Sequence, residues 1–232
     1  MKLKIALVAL LLSSFAGPAM SQAIDEDQAG AWYMYFFTKR FKDSQFGIQG
    51  DYQFRYWNLG GDLEQLLLRT GLTYQPKNTN ITLTAGYAFI ASGQFGESTA
   101  KTNESRTYLE AFMPQKVGGR FLFTHRFRYE QRWLEGQDFR TRYRYALFLN
   151  IPLNGQELKK NVVYIALYNE LFINGQKEIG SGNTVQFFDR NRIYTGLGYG
   201  LRDNLRMQLG WMKQSTDAIS KGQLQVGLHH NW

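Results

Sequence analysis

Apolar and polar residues alternate one for one along most of the chain, and spacing near 3.6 residues is hard to find. In HRFRYEQRW, His125 to Trp133, the odd positions carry rings or uncharged groups, and the even positions are all arginine or glutamate. FRTRYRYALFLNIP, Phe139 to Pro152, repeats the division, with Phe139, Tyr143, Tyr145, Leu147 and Leu149 against Arg140, Arg142 and Arg144. Successive side chains of a strand point to opposite faces, so each ribbon has one apolar face and one cationic face. The alternation predicts strands near 31–41, 45–57, 63–75, 79–91, 105–114, 118–133, 137–151, 160–174, 186–201, 204–214 and 222–232. Several of them run 12 to 16 residues, against about five or six in soluble sheets.

The connections predict two rims. Lys42-Asp43-Ser44, Pro76-Lys77-Asn78, Pro114-Gln115-Lys116 and Asp203-Asn204 are short and rich in turn formers, and Pro152-Leu153-Asn154-Gly155 opens a somewhat longer link. Between them fall the polar stretches Ser92 to Glu104, Asn174 to Thr184 and Ser215 to Lys221. Short turns on one rim and longer loops on the other match the asymmetry of outer-membrane barrels. Eleven strands conflict with the even number usual in single-chain bacterial barrels, so the pattern leads to an expectation of ten or twelve. An unseen strand in Gln22 to Gly30, a fusion of two segments or a hairpin within a loop would reconcile the two.

A sheet with two such faces closes in one of two ways. A soluble barrel or sandwich puts the rings inside, and a transmembrane barrel puts them against lipid with the arginines in the lumen. Solvent-facing strand positions usually carry Lys, Thr, Ser and Glu. Here arginine dominates, and Glu110, Glu130 and Glu170 stand where they can pair with it, as a confined polar interior requires. Aromatics also gather near the expected strand ends, at Trp32, Tyr56, Trp57, Tyr74, Trp133 and Trp211, where interfacial girdles lie. The expected fold is therefore an all-β, antiparallel transmembrane β-barrel of about 10–12 strands.

The beginning of the chain sharpens this. MKLKIALVALLLSSFAGPAMSQA sets Lys2 and Lys4 before an apolar run from Ile5 to Ala16, then small residues at Ala19, Ser21 and Ala23. That is the form of a cleaved secretory signal, residues 1–22, followed by a polar tail at 23–30 and a barrel at 31–232. The remaining sequence has no run of 18 apolar residues, and cysteine is absent from the 232 residues, so stability must come from packing and hydrogen bonds without disulfide staples. A net charge of +8, or +6 without Lys2 and Lys4, points to anionic neighbours. Export argues against nucleic acid as one of them, despite the interleaved basic and aromatic residues.

The last residues, LQVGLHHNW, place Leu224, Val226, Leu228, His230 and Trp232 on one face, which resembles the carboxy-terminal signal strand of outer-membrane proteins. HRFRYEQRW, Asn169-Glu170 in YNELFING, FFDRNRIYTGLGYGL from Phe187 to Leu201, the early Trp32 and the signal peptide together resemble the bacterial domain of unknown function 2490 family. This similarity covers nearly all of the mature chain. It implies a Gram-negative outer-membrane barrel of unestablished function, folded by the barrel assembly machinery and surrounded by outer-membrane lipids and lipopolysaccharide. The family supplies no catalytic residues.

The chemical signal is an arginine ladder, Arg120, Arg126, Arg128, Arg132, Arg140, Arg142, Arg144, Arg190 and Arg192, with Glu110, Glu130 and Glu170 as charge partners. One reading is a salt-bridged plug filling a small barrel. The other is a narrow, porin-like constriction or binding barrel for small anions, since rings of Arg or Lys line anion pores. Catalytic residues, a cofactor and a metal are not expected. His125 falls on the apolar face, no G-x-S-x-G element accompanies it, and Ser98 and Ser105 have no evident partner, leaving a lipid hydrolase or acyltransferase as the alternative. A soluble exported binding barrel is the other. His229 and His230 point to opposite faces and cannot share a metal ion, and Asp25, Glu26 and Asp27 read as a solvated tail. The glycines of Gly196-Leu197-Gly198-Tyr199-Gly200 lie on the polar face, where they are expected to make room for arginines opposite.

Overall fold

The computed structural model describes residues 28–232. The proposed signal segment and Asp25, Glu26 and Asp27 lie outside the described residues. Eleven strands follow one another: β1 (Gly30–Arg40), β2 (Phe46–Tyr56), β3 (Leu63–Tyr74), β4 (Thr82–Gly93), β5 (Lys101–Val117), β6 (Phe121–Leu134), β7 (Arg140–Pro152), β8 (Val163–Asn174), β9 (Phe188–Arg202), β10 (Leu205–Ser215) and β11 (Ser220–Asn231). Each pairs with its sequence neighbours, and β1 closes on β11 to complete a barrel.

The expectation of ten or twelve strands is corrected to eleven. An odd count starts the chain on one rim and ends it on the other, so the first and last strands run the same way. They pair in parallel from Gly30↔Gln223 to Thr38↔Asn231, and every other pair is antiparallel. Following the registers once around displaces the starting residue by about 14 positions; at roughly 3.3 Å per residue and 4.8 Å between strands this sets a tilt of about 41° and a radius of about 11 Å.

The turns lie where the turn chemistry indicates, with three changes, one of them the loop expected at Ser215 to Lys221, which shrinks to 216–219 because Gln214 pairs with Lys221 and Ser215 with Ser220. The turn after β5 is at 118–120 instead of Pro114-Gln115-Lys116, because β5 stays paired with β6 as far as Val117↔Phe121. There Gly118 and Gly119 take positive φ of 57° and 79°, which glycine accepts without strain. The loop after β4 shrinks to 94–100, because residues from Lys101 onward already pair with β4.

The faces are those of an inverted protein. Arg106, Arg128, Arg142, Arg144, Glu110, Glu130 and Glu170 are buried inside, whereas Leu72, Leu109, Tyr143, Ile193, Leu197 and Leu209 project outward with more than half of their surface exposed. Trp32 departs from the expected girdle. It is 2% exposed and packs inside with Tyr164, Ala166, Tyr194 and Met212. Strand β1 is apolar on both faces, so alternation alone gives no direction there.

The interior glycines also have a different role from the one expected. A Cβ on Gly198 would meet the Tyr164 ring at 2.0 Å, one on Gly86 the Tyr108 ring at 2.4 Å, and one on Gly196 the Tyr194 hydroxyl at 2.2 Å. Each glycine clears wall space for a tyrosine from the same or an adjacent strand to lie flat, and arginines opposite are not what fills the gap.

Candidate functional site

Strands β5 to β9 bring the arginine ladder to one side of the interior. The register sets like charges directly across from each other at Arg106↔Arg132, Arg132↔Arg140 and Arg128↔Arg144, an unfavourable arrangement unless carboxylates intervene. They do so diagonally. Glu130, 1% exposed, accepts from Arg142 at 2.7 Å and from Arg144 at 2.6 Å. Glu104 takes Arg106 at 2.6 Å and also accepts from Arg132, Glu170 takes Arg126 and Arg144, and Glu110 takes Arg128 and an amide hydrogen of Gln49 at 2.8 Å. Asp189 bridges Arg142 at 2.8 Å and Arg190 at 3.1 Å, and Asp51 holds Arg69 at 2.6 Å. Forked guanidinium groups suit such shared carboxylates, because two carboxylate oxygens each receive a directed N–H.

Of the predicted site residues, Arg126, Arg128, Arg132, Arg140, Arg142, Arg144, Arg190 and Arg192 lie on the inward face with Glu110, Glu130 and Glu170. Arg120 does not join them. It belongs to the exposed turn after β5, beyond the last paired residue, so its place in the ladder is corrected. Leu224, Val226, Leu228 and His230 face outward on β11, while Trp232 lies just past the strand, bonded through its backbone N–H to Thr38 O at 2.8 Å.

Several members of the belt escape the sequence pattern. Arg55, Arg69, Asp51, Glu104, Arg106 and Arg206 lie on strands without an arginine run, and their only signal is shared parity with inward neighbours. Asp189 defeats parity too, since a register shift opposite Phe172/Ile173 inserts it as an extra residue and turns it toward Arg142. For contrast, Glu157 and Lys159 pair at 2.8 Å in the exposed loop after β7, where the hydrogen bond lowers the carboxyl pKa and raises that of the ammonium; an exposed pair of this kind adds little stability.

The belt borders a cavity of about 680 Å³ that runs from Gln65, Ser92 and Thr102 near one rim to Thr124, Asn150 and Asn231 near the other. Eleven arginines and five carboxylates line it, with Glu130 and Asp189 paired to lining arginines from behind, so eleven cations face seven acids and positive charge remains after all pairing. A second class of contact holds the surplus. Phe172, 1% exposed, lies 4.4 Å from Arg144, 4.7 Å from Arg192 and 5.2 Å from Arg142, measured to its ring centre. Arginine over an aromatic face gains from the ring quadrupole.

A family model described as "Protein of unknown function (DUF2490)" matches residues 29–225. The chain belongs to the DUF2490 family. The match takes in β1 to β10 and the first half of β11, so the whole arginine belt of this DUF2490 barrel falls within it. No curated protein matches the chain.

The histidines and serines are dispersed. His125 points outward and its Nδ1 lies 2.9 Å from the Tyr145 hydroxyl. Ser105 is bonded to the Tyr87 hydroxyl at 2.8 Å and sits opposite Trp133, eight positions along β6 from His125, a separation of about 26 Å. His229 turns inward and stacks on Phe36 at 4.6 Å, while the outward His230 bonds the Tyr35 hydroxyl at 3.0 Å. Among the described residues no group of three His, Cys, Asp or Glu side chains is placed to hold a metal ion.

Proposed function

We propose that this DUF2490 protein is an outer-membrane barrel with a non-enzymatic role, whose cationic lumen binds small anions and admits them to a narrow water-filled path. The observation that carries the reading is the charge imbalance of the cavity wall, eleven arginines against five lining carboxylates and the two, Glu130 and Asp189, that stand behind them. Paired residues such as Glu130 with Arg142 and Arg144 form the structural part of the wall, and the unpaired guanidinium groups supply the anion preference. Plug and pore are then two parts of one interior.

Membrane placement is supported by dimensions and chemistry. A tilt of about 41° leaves roughly 2.5 Å of axial rise per residue, so a strand of 12 residues covers about 30 Å, the thickness of a bilayer's hydrocarbon core. Leucine and aromatic side chains cover the outward faces over that height, as a lipid-facing band requires. By the same rule the short turns face the periplasm and the long loops the exterior. The separation of His125 from Ser105 removes the pairing that a lipid hydrolase or acyltransferase would need from those residues.

The test is the reversal potential of the purified protein in planar bilayers under a salt gradient. Anion preference is expected, and it should weaken in Arg192→Ala combined with Arg206→Ala, both lining the cavity without a carboxylate partner. Cation preference, or the absence of both conductance and anion binding, would overturn the reading.

A further inference from the structure

The arginines of the belt are not equivalent. Most share a carboxylate, but Arg55, Arg140, Arg192 and Arg206 have no acidic partner within 4.0 Å, and of these Arg55 on β2 and Arg192 on β9, each only 7% exposed, meet at one point of the cavity. Both stack on the same indole: Arg55 lies 3.8 Å and Arg192 4.8 Å from the centre of the Trp32 ring. The hydrogen bonds of Arg55 go to the neutral side chains of Gln53 and Gln65. Arg192 uses its Nε on Gln214 at 2.8 Å, leaving its forked end without a protein acceptor among the described residues.

Two like charges on one ring in a confined space repel each other, and the carboxylate nearest that ring, Glu64, accepts from the Trp32 Nε1–H at 2.9 Å and forms no ion pair with either arginine. Beside them Gln225, paired with Trp32 across the closing seam, is 3% exposed; its oxygen accepts from Tyr168 at 3.1 Å while its Nε2 has no acceptor. The guanidinium groups, the orphaned amide and the indole all border the same cavity. Donors without acceptors on β9 and β11, the forked end of Arg192 and Nε2 of Gln225, beside a second guanidinium held only by neutral amides, are what an oxyanion site looks like before its ligand arrives.

We propose that Arg55, Arg192 and Gln225 form a discrete oxyanion site against Trp32, taking the phosphate or carboxylate group of a small solute, with planar or tetrahedral oxygens favoured over a spherical halide. This rests on the reading of an anion-binding lumen and gives it an address. Asp51, Arg69 and the Glu130 cluster are the framework around the site, and their charges are already matched.

The experiment is isothermal titration of the full barrel in detergent with inorganic phosphate and, separately, acetate, with chloride as the background salt, together with thermal unfolding at each concentration. Binding of phosphate or acetate above the chloride background is expected, and which of the two is tighter identifies the source of the oxyanion. Arg55→Gln and Arg192→Gln should each weaken binding by ~10-fold or more, the scale of a lost charge-assisted hydrogen bond, while Arg120→Gln leaves it unchanged. Arg192→Gln should also raise the midpoint of unfolding in the absence of oxyanion and abolish its rise on adding phosphate, whereas a purely structural arginine would lower it. Wild-type affinity in both glutamine variants, with binding lost in Arg206→Gln, would overturn this site and leave the anion-binding lumen standing. No binding of phosphate or acetate by the wild type would remove this site, and conductance without anion preference would remove the broader reading.

Discussion

At the scale of the residue, the interior is governed by the cost of an unpartnered buried charge. Glu130 has the strictest position, because its two oxygens serve Arg142 and Arg144 and its carboxylate also faces Arg106 at 4.0 Å and Arg128 at 3.8 Å. Glu130→Gln keeps the shape and removes the charge, leaving Arg142 with Asp189 and Arg144 with Glu170. Breaking one side of a buried pair costs about 3–5 kcal/mol, so urea unfolding of this variant in detergent should show a loss of that order. Arg120→Gln, in an exposed turn, should stay within about 0.5 kcal/mol. Equal stability of the two variants would mean that the belt is solvated and contributes nothing to the wall.

At the scale of the element, the alternation in the sequence disclosed more than the count of strands expected from it. The segments after β1 are legible because period-2 patterning runs along strands of 11 to 17 residues, and the ladders of Arg126 to Arg132 and Arg140 to Arg144 fix which residues share a face. The even-number rule is what misled, since it assumes both chain ends on one rim, and β1 with β11 breaks that assumption by pairing in parallel. Trp32 was placed outside because β1 carries Met34 and Phe36 on one face and Tyr33, Tyr35 and Phe37 on the other; polarity cannot orient a ribbon that has no polar side. Tyrosine over glycine was also hidden, because contacts such as Tyr108 over Gly86 join two strands and exist only once their register is set. Arg55 and Gln225 lacked a signal for the same reason.

The parallel seam is the element with the sharpest prediction. Val226 lies between Tyr33 of β1 and Leu209 of β10, and proline there deletes a ladder hydrogen bond and prevents regular pairing in the middle of a sheet. Val226→Pro should lose the fast, compact migration that a folded barrel shows in unheated gel samples, whereas Val226→Leu should keep it. A compact Val226→Pro protein would mean that closure does not depend on β11.

At the scale of the whole molecule, everything follows from the direction in which the ribbon curls. On the proposed membrane reading, rings outward and guanidinium groups inward give a barrel with lipid outside and an enclosed cationic space inside, and the same sequence curled the other way would be a soluble protein with an aromatic core. The absence of cysteine from the chain makes the direction measurable, because each introduced cysteine is the sole attachment point for a label. Nitroxide scanning along β10 in reconstituted vesicles is the most direct measurement. Labels at Leu205, Met207, Leu209 and Trp211 should be relaxed by oxygen dissolved in the lipid, and labels at Gln208 and Met212 should be shielded from it, giving a two-residue oscillation. Protein that stays in the aqueous phase with no vesicle association, or an oscillation of opposite phase, would contradict the account.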